Sequence, residues 1–189
     1  MSNYTILTHP AHPLYSSLAK DEHIIHYYYS ERGKFVEQVH KSKEVNVLID
    51  LTFLRTADKD DLLIKLKHNA PFNLKVISDM SIAWGDMLMK RYPFIGASSS
   101  LSFYSPNSTH EVVLKNDSVR DSLEAFFKKY QRQIHEVSQA GIGFTYPRTL
   151  SQIVNEAYFA LEEGLCTRED LDRAMKDGVN YPHGPLEWS

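Results

Sequence analysis

The chain is predicted to be an α/β protein: a mostly parallel sheet covered on both faces by helices, followed by a short all-α helical hairpin. Three observations carry this expectation. Strand-sized apolar runs alternate with segments of helical period from Tyr4 to Val137. The run Val45 to Leu51 (VNVLIDL) is almost continuously apolar, as a strand buried on both faces requires. From Gly143 onward only the helical period survives.

In order, Tyr4 to Thr8 reads as a strand and Leu14 to Lys20 as a turn or two of helix. His23 to Tyr29 (HIIHYYY) is a second strand, with a helix over Glu31 to Lys41 after it. The Val45 to Leu51 strand is followed by a helix over Asp58 to Asn69, whose acidic opening suits the N-terminal dipole. Leu74 to Ser78 is a strand and Ile82 to Arg91 a helix. Phe94 to Tyr104, His110 to Leu114 and Ile134 to Val137 are three further strands, with an amphipathic helix from Val119 to Tyr130 before the last. The α/β part is expected to fill residues 1–140 and the helical part 141–189.

The totals exclude several function classes. Of 189 residues, 42% are hydrophobic and 24% charged, with a net charge of −3, which describes an ordinary globular chain without the basic excess that nucleic acid or an acidic membrane attracts. One cysteine, Cys166, rules out an internal disulfide and fits a reducing compartment. The first residues lack a signal-peptide core, and no apolar run approaches the ~20 residues of a membrane span. A cytoplasmic protein is expected.

Gly143 to Glu187 is the most explicit stretch: GFTYPRTLSQIVNEAYFALEEGLCTREDLDRAMKDGVNYPHGPLE. Leu150, Ile153, Val154, Ala157 and Leu161 share one helical face, Pro147 suits a first turn, and Gly164 stands where a left-handed residue ends a helix. Thr167 caps a second helix with Asp170 three residues on, and Gly178 followed by Pro182 stops it. The pattern GFxxxRxL, NEAxxxLEEG, EDLDxAM, YPxGPLE resembles the opening of the C-terminal helical domain of 3-hydroxyacyl-CoA dehydrogenases. Weaker likenesses extend upstream. VNVLIDLTF is similar to that family's DxVIEAxF strand, VISDMS to its strand ending in SNTSS, FIG with SFYSPN to its FxGxHFFNP, and HEVV at His110 to Val113 to its LVEVV. The resemblance implies a Rossmann-like first domain, NAD as cofactor, an acyl-CoA ligand and hydride transfer at a 3-hydroxyl.

Carried over residue by residue, those implications meet substitutions. The first strand-to-helix turn, where glycines should let amides reach a dinucleotide's diphosphate, reads Thr8-His9-Pro10-Ala11-His12-Pro13-Leu14. It has no glycine and two prolines, so no cofactor is expected, NAD remaining open through the resemblance alone, and no cofactor-binding residue is assigned. Ser102 stands at the position of the family's basic histidine, Pro147 at that of its substrate-binding asparagine and Leu54 at that of a glutamate. Ser81 matches its substrate-contacting serine and Glu111 its orienting glutamate. Ser81, Ser102 and Glu111 are therefore the candidate catalytic residues. The expected protein is a non-catalytic, ligand-binding or regulatory relative; the alternative is a working oxidoreductase on 3-hydroxyacyl-CoA substrates with non-standard cofactor binding.

Three smaller groups of residues stand outside these motifs. His9, His12, His23 and His26 could supply metal ligands, but solvated histidines in an irregular loop are the expectation, and no metal is assigned. Tyr27, Tyr28, Tyr29 and Trp84 are read as packing residues rather than an aromatic pocket. Cys166 has no charged activator in sequence and is read as a plain small side chain. The chain ends at Trp188-Ser189, and the apolar stripe of the hairpin leads to the expectation of a symmetric homodimer through the C-terminal helices, packed on the mate's helices or on its sheet.

Overall fold

The computed structural model describes residues 4–10, 12, 14–18, 24–26, 39, 46–69, 73–101 and 109–187. Seven strands form one sheet: β1 (Tyr4–Thr8), β2 (Ile24–His26), β3 (Val47–Leu51), β4 (Lys75–Asp79), β5 (Ile95–Ser99), β6 (Thr109–Leu114) and β7 (Gln133–Glu136), in the order β2-β1-β3-β4-β5-β6-β7. Every pair is parallel except β5 with β6, where Ala97 faces Leu114. The helices are α1 (Tyr15–Leu18), α2 (Thr56–Asn69), α3 (Gly85–Arg91), α4 (Arg120–Lys129), α5 (Tyr146–Glu162) and α6 (Arg168–Val179). The expected Glu31 to Lys41 helix and Tyr27 to Tyr29 lie outside the described residues, Val39 apart.

Strand residues alternate between two cores because successive side chains leave a strand on opposite sides. Leu7, Leu48 and Val76 pack with Leu62, Leu63 and Leu66 of α2 and Leu88 and Met89 of α3. Their neighbours Ile6, Ile49 and Ile77 pack with Leu14, Leu18 and, from α4, Leu123, Phe126 and Phe127. Both faces are thus covered, which is why β3 reads as an apolar run instead of an alternating one. The Tyr92 hydroxyl donates to Asp60 Oδ1 (2.7 Å) and Arg91 pairs with the same carboxylate (2.8 Å), joining α3 to α2. Burial, with Asp60 as the second cause, pushes the Tyr92 phenol up to about 12. The α3 helix starts at Gly85, later than the predicted Ile82, because Ala83 N–H turns back to the Met80 carbonyl and Trp84 N–H is taken by Thr56 Oγ1.

The chain divides into two compact units, Met1–Phe144 and Thr145–Ser189. In the second, α5 opens with Pro147 in its first turn and ends at Gly164 (φ 69°). There Gly164 N–H donates to Leu161 O and Leu165 N–H to Ala160 O, both at 3.0 Å, the paired bonds of a left-handed helix stop. Thr167 Oγ1 caps α6, accepting Asp170 N–H at 3.2 Å. One expectation is corrected: Gly178 lies inside α6, and Asn180 (φ 56°) makes the left-handed stop. Nothing approaches within 4 Å of a Cβ at Gly178, and asparagine is among the few residues that tolerate that backbone, so the helix runs on past the glycine.

The YPHGPLE exit is held to α6 by Asp172. That carboxylate, nearly buried, accepts Leu186 N–H at 2.8 Å, while the Arg168 guanidinium donates to the Leu186 carbonyl. A Cβ at Gly184 would fall 2.2 Å from the Asp172 carboxyl carbon, so only glycine lets the chain pass. Gly184→Ala is expected to destabilise the second unit by about 1–2 kcal/mol, read from its urea unfolding midpoint; a shift of nil would remove Asp172 as the clamp. Among the described residues no helix is long and apolar enough to cross a membrane.

Candidate functional site

The order of the sheet places β1 beside β3, with β2 on the outer side, so the chain departs from β1 in one direction and from β3 in the other. Open parallel sheets receive ligands at such a reversal, outside the carboxyl ends of the strands. Thr8, His9, Pro10, His12, Leu14, Thr52, Asp79 to Ser81 and Ser99 to Leu101 lie at those ends, and β6, running the other way, begins there with Thr109 and His110.

His12 fills the turn after β1. Its imidazole is buried, with Nδ1 accepting Leu14 N–H at 3.1 Å, so the proton sits on Nε2, which donates to Asp79 Oδ2 of β4 at 3.2 Å. Asp79 Oδ1 accepts Ser81 N–H (2.9 Å) and the Ser81 hydroxyl (2.5 Å). His12 N–H is in turn donated to the His9 carbonyl, and Tyr15 N–H to the His12 carbonyl, both at 2.9 Å. The amides of His12, Leu14 and Tyr15 are therefore already engaged, and Pro10 and Pro13 have none to offer. The expectation of a solvated loop histidine is corrected at His12: a buried imidazole needs partners, and Asp79 together with the Leu14 amide supplies them. Among the described residues no group of three or more His, Cys, Asp or Glu is arranged to hold a metal ion.

A second polar cluster lies on the other face of the sheet. Lys59 of α2 is fully buried and donates from Nζ to Asp50 Oδ2 (2.8 Å), Thr52 O (2.6 Å) and Thr52 Oγ1 (2.8 Å). Asp50 also accepts from Thr52 N–H (2.9 Å), Thr52 Oγ1 (2.5 Å) and Ser78 Oγ (2.5 Å). Three donor hydrogens on the ammonium thus meet three oxygens, the condition under which a dry ion pair is tolerable. The cluster fastens the first turn of α2 to the carboxyl ends of β3 and β4.

His110 of β6 is buried on the α4 face, its ring 5.1 Å from that of Phe127. Nδ1 lies 3.1 Å from the Ser100 carbonyl and so carries a proton to donate. Burial is the main cause holding its pKa down at about 4; the Ser100 hydrogen bond opposes it, Arg132 lowers it further and Asp79 raises it. The imidazole is neutral near pH 7.

Of the candidates from sequence, Ser81 is buried and bonded to Asp79, and Glu111, partly exposed on β6, has its amide taken by Ser100 Oγ at 2.9 Å. Ser81 follows the end of β4 by two residues and Glu111 is on β6, with β5 between those strands. Ser102 lies outside the described residues. Pro147 is in α5 of the second unit, while Leu54 is buried beside α2 in the first. Trp84, read as a packing residue, is instead 52% exposed, at the N-cap position of α3. Sequence reasoning missed Lys59, Asp50, Asp79 and the burial of His12.

The sequence matches to known proteins fall in one family and cover part of the chain. Residues 143–189 match the profile of the 3-hydroxyacyl-CoA dehydrogenase C-terminal domain. A 3-hydroxyadipyl-CoA dehydrogenase of Escherichia coli strain K12 is 54% identical over 41 residues, which are 22% of this chain and 9% of that protein. A 3-hydroxybutyryl-CoA dehydrogenase of Bradyrhizobium diazoefficiens is 35% identical over 75 residues, 40% of this chain and 25% of that protein. The match thus spans a quarter or less of these curated relatives' length. In fold, Mycobacterium tuberculosis FadB2 superposes with a TM-score of 0.75 at 15% identity, covering 100% of this chain and 81% of that one. The (S)-3-hydroxybutyryl-CoA dehydrogenase PaaH1 of Ralstonia eutropha superposes with a TM-score of 0.64 at 23% identity, covering 92% and 59%. At such identities the superpositions speak for the fold alone, which is Rossmann-like. Over residues 143–189, a quarter of its length, the chain matches the 3-hydroxyacyl-CoA dehydrogenase family, by its C-terminal domain.

Proposed function

We propose that the protein is a 3-hydroxyacyl-CoA dehydrogenase-like homologue that does not carry out ordinary NAD-dependent hydride transfer and acts instead by binding a ligand, an acyl-CoA or another small molecule. The observation that carries this reading is the His12 turn. A dinucleotide's diphosphate is held at this place by backbone amides free to point at it. Here the Leu14 amide points at His12 Nδ1, and the His12 and Tyr15 amides are spent within the turn. The buried Asp79 carboxylate lies behind that imidazole, an electrostatic neighbour unfavourable to phosphate. The residues present do not fit the cofactor, and no step of chemistry is derived through it. Ser102 and Pro147, at the positions where relatives carry a basic histidine and an amide, support the same reading. Residence in the cytoplasm belongs to it too, on the strength of a single cysteine.

The test is a titration with NADH, following nicotinamide fluorescence, with acetoacetyl-CoA then added and the absorbance of NADH recorded. No saturable enhancement and no oxidation are expected. Saturable binding followed by turnover would replace this reading with that of a working oxidoreductase with Ser81, Ser102 and Glu111 around the substrate.

A further inference from the structure

Among the described residues β7 is the outer strand of the sheet, beyond β6. Val137 N–H, one residue past its end, donates to the Val112 carbonyl of β6 at 2.8 Å. In a parallel ladder a residue turns its N–H and C=O to one side, and the next residue turns both to the other. Gln133 and His135 therefore bond to β6 as Val137 does, whereas Ile134 and Glu136 aim their amides and carbonyls away from the sheet. No described residue meets those four groups. A row of open backbone groups is a template for another strand.

A cavity of about 400 Å³ opens beside that edge, between α4 and the start of β7, with Phe127 and Ile134 as its apolar walls. The two elements are joined directly. Gln131 N–H donates to the Lys128 carbonyl (3.1 Å) and Arg132 N–H to that of Phe127 (2.8 Å), so the turn from α4 into β7 shuts one end of the groove. Lys128 and Arg132 line this shut end. Lys128 is exposed and makes no ion pair among the described residues. Towards the open end Glu124 and Glu136 share Arg120, at 3.8 and 2.5 Å, so the excess of negative charge lies there and the excess of positive charge at the shut end.

We propose that this groove receives the C-terminal end of another protein chain, laid antiparallel along β7 as one more strand of the sheet. Strand addition of this kind draws affinity from main-chain hydrogen bonds and specificity from a side-chain pocket, and both are present here. The occupant is a chain terminus because the turn at Gln131 and Arg132 leaves a chain no way to run on. Its carboxylate meets Lys128 and Arg132, and its last side chain, apolar, lies on Phe127 and Ile134. The antiparallel direction follows, since the shut end is where β7 begins. The β7 strand of a second copy does not suit the groove: its one apolar residue, Ile134, is already packed against the core under α4, and its chain continues beyond Glu136. The proposal does not rest on the reading of function above, and its failure leaves that reading untouched.

The experiment titrates the full chain into fluorescein-labelled hexapeptide pools, degenerate except for a last residue of valine, leucine, isoleucine or phenylalanine, and reads fluorescence anisotropy. Pools with a free carboxyl terminus are expected to bind saturably, and the same pools amidated to bind at least about tenfold more weakly. The tightest peptide of the free-acid pool is then made with single N-methyl groups, which are expected to abolish binding at alternate positions only, because every second amide of an added strand faces β7. Lys128→Glu is expected to weaken binding about tenfold or more, with unchanged circular dichroism because that side chain is exposed. Equal binding of acid and amide, an N-methyl series without alternation, wild-type affinity in Lys128→Glu, or no saturable binding up to about 1 mM would each overturn the proposal. A chain that light scattering finds dimeric, and that Ile134→Pro renders monomeric by removing an outward amide, would put a second copy on the edge and overturn it equally.

Discussion

Lys59→Met is expected to destabilise the first unit by about 3–5 kcal/mol, a drop in melting temperature on the order of 10 °C. The methionine keeps the length of the stem and removes the charge. Asp50 would then be a carboxylate at 0% exposure whose remaining partners, Thr52 and Ser78, are neutral. The cost lies in that uncompensated anion rather than in lost packing. Lys59→Met combined with Asp50→Leu is therefore expected to recover at least half of the loss, since a buried ion pair replaced whole by apolar groups is often neutral. Urea unfolding of the four proteins closes the cycle. A single-variant loss below about 1 kcal/mol, or a double variant no better than the single, would mean that Lys59 is not the charge compensating Asp50.

Acidification is expected to weaken the protein through His110. In the folded chain its pKa is about 4, and in the unfolded chain it returns to the ordinary 6.5. Between those values the unfolded chain binds the extra proton, so stability rises with pH across the interval. The contribution is full above pH 6.5 and is lost as pH falls towards 4, amounting to about 2–3 kcal/mol over the window. Other groups titrate in the same range, so the difference from His110→Gln isolates the term. Glutamine can still donate to the Ser100 carbonyl but has no proton to gain. The variant's unfolding midpoint should fall less steeply from pH 6.5 to 4 than that of the native chain. Parallel slopes would show that the imidazole is already solvated, contrary to its place against Phe127.

Most of the sheet could be read from the chain because its central strands are buried on both faces and announce themselves as apolar runs; β1 was placed to the residue. The helical hairpin was legible for a different reason: Gly164 and the Thr167 cap are local devices whose chemistry is complete within a few residues. The candidate site was much less legible. Asp79 and His12 are 67 positions apart in sequence, and nothing near either one names the other. Proline on both sides made His12 look like solvent loop, whereas the same prolines leave the turn short of amides and the imidazole bends in to use one. Two anomalies could have given Lys59 away. It precedes Leu62, Leu63 and Leu66 by three, four and seven positions, so it lies on the buried face of its own helix, and Asp50 interrupts an otherwise apolar strand. A cation and an anion each set in a core position are a reason to seek one from the other.

The order of the sheet also governs how fast it can be made. Tyr4 must find Val47, Val47 must find Lys75 and His110 must find Ile134 before any of those pairs is rewarded, and even the antiparallel pair joins Ala97 to Leu114. No two-residue hairpin exists among the described strands to serve as a quick start. Each ladder begins with the entropy of closing a long loop, which places folding of the first unit among slow, high-contact-order processes. During that delay the apolar strands stand open to neighbouring chains, and the emerging polypeptide has the strongest need of chaperones before β3 and β4 have met.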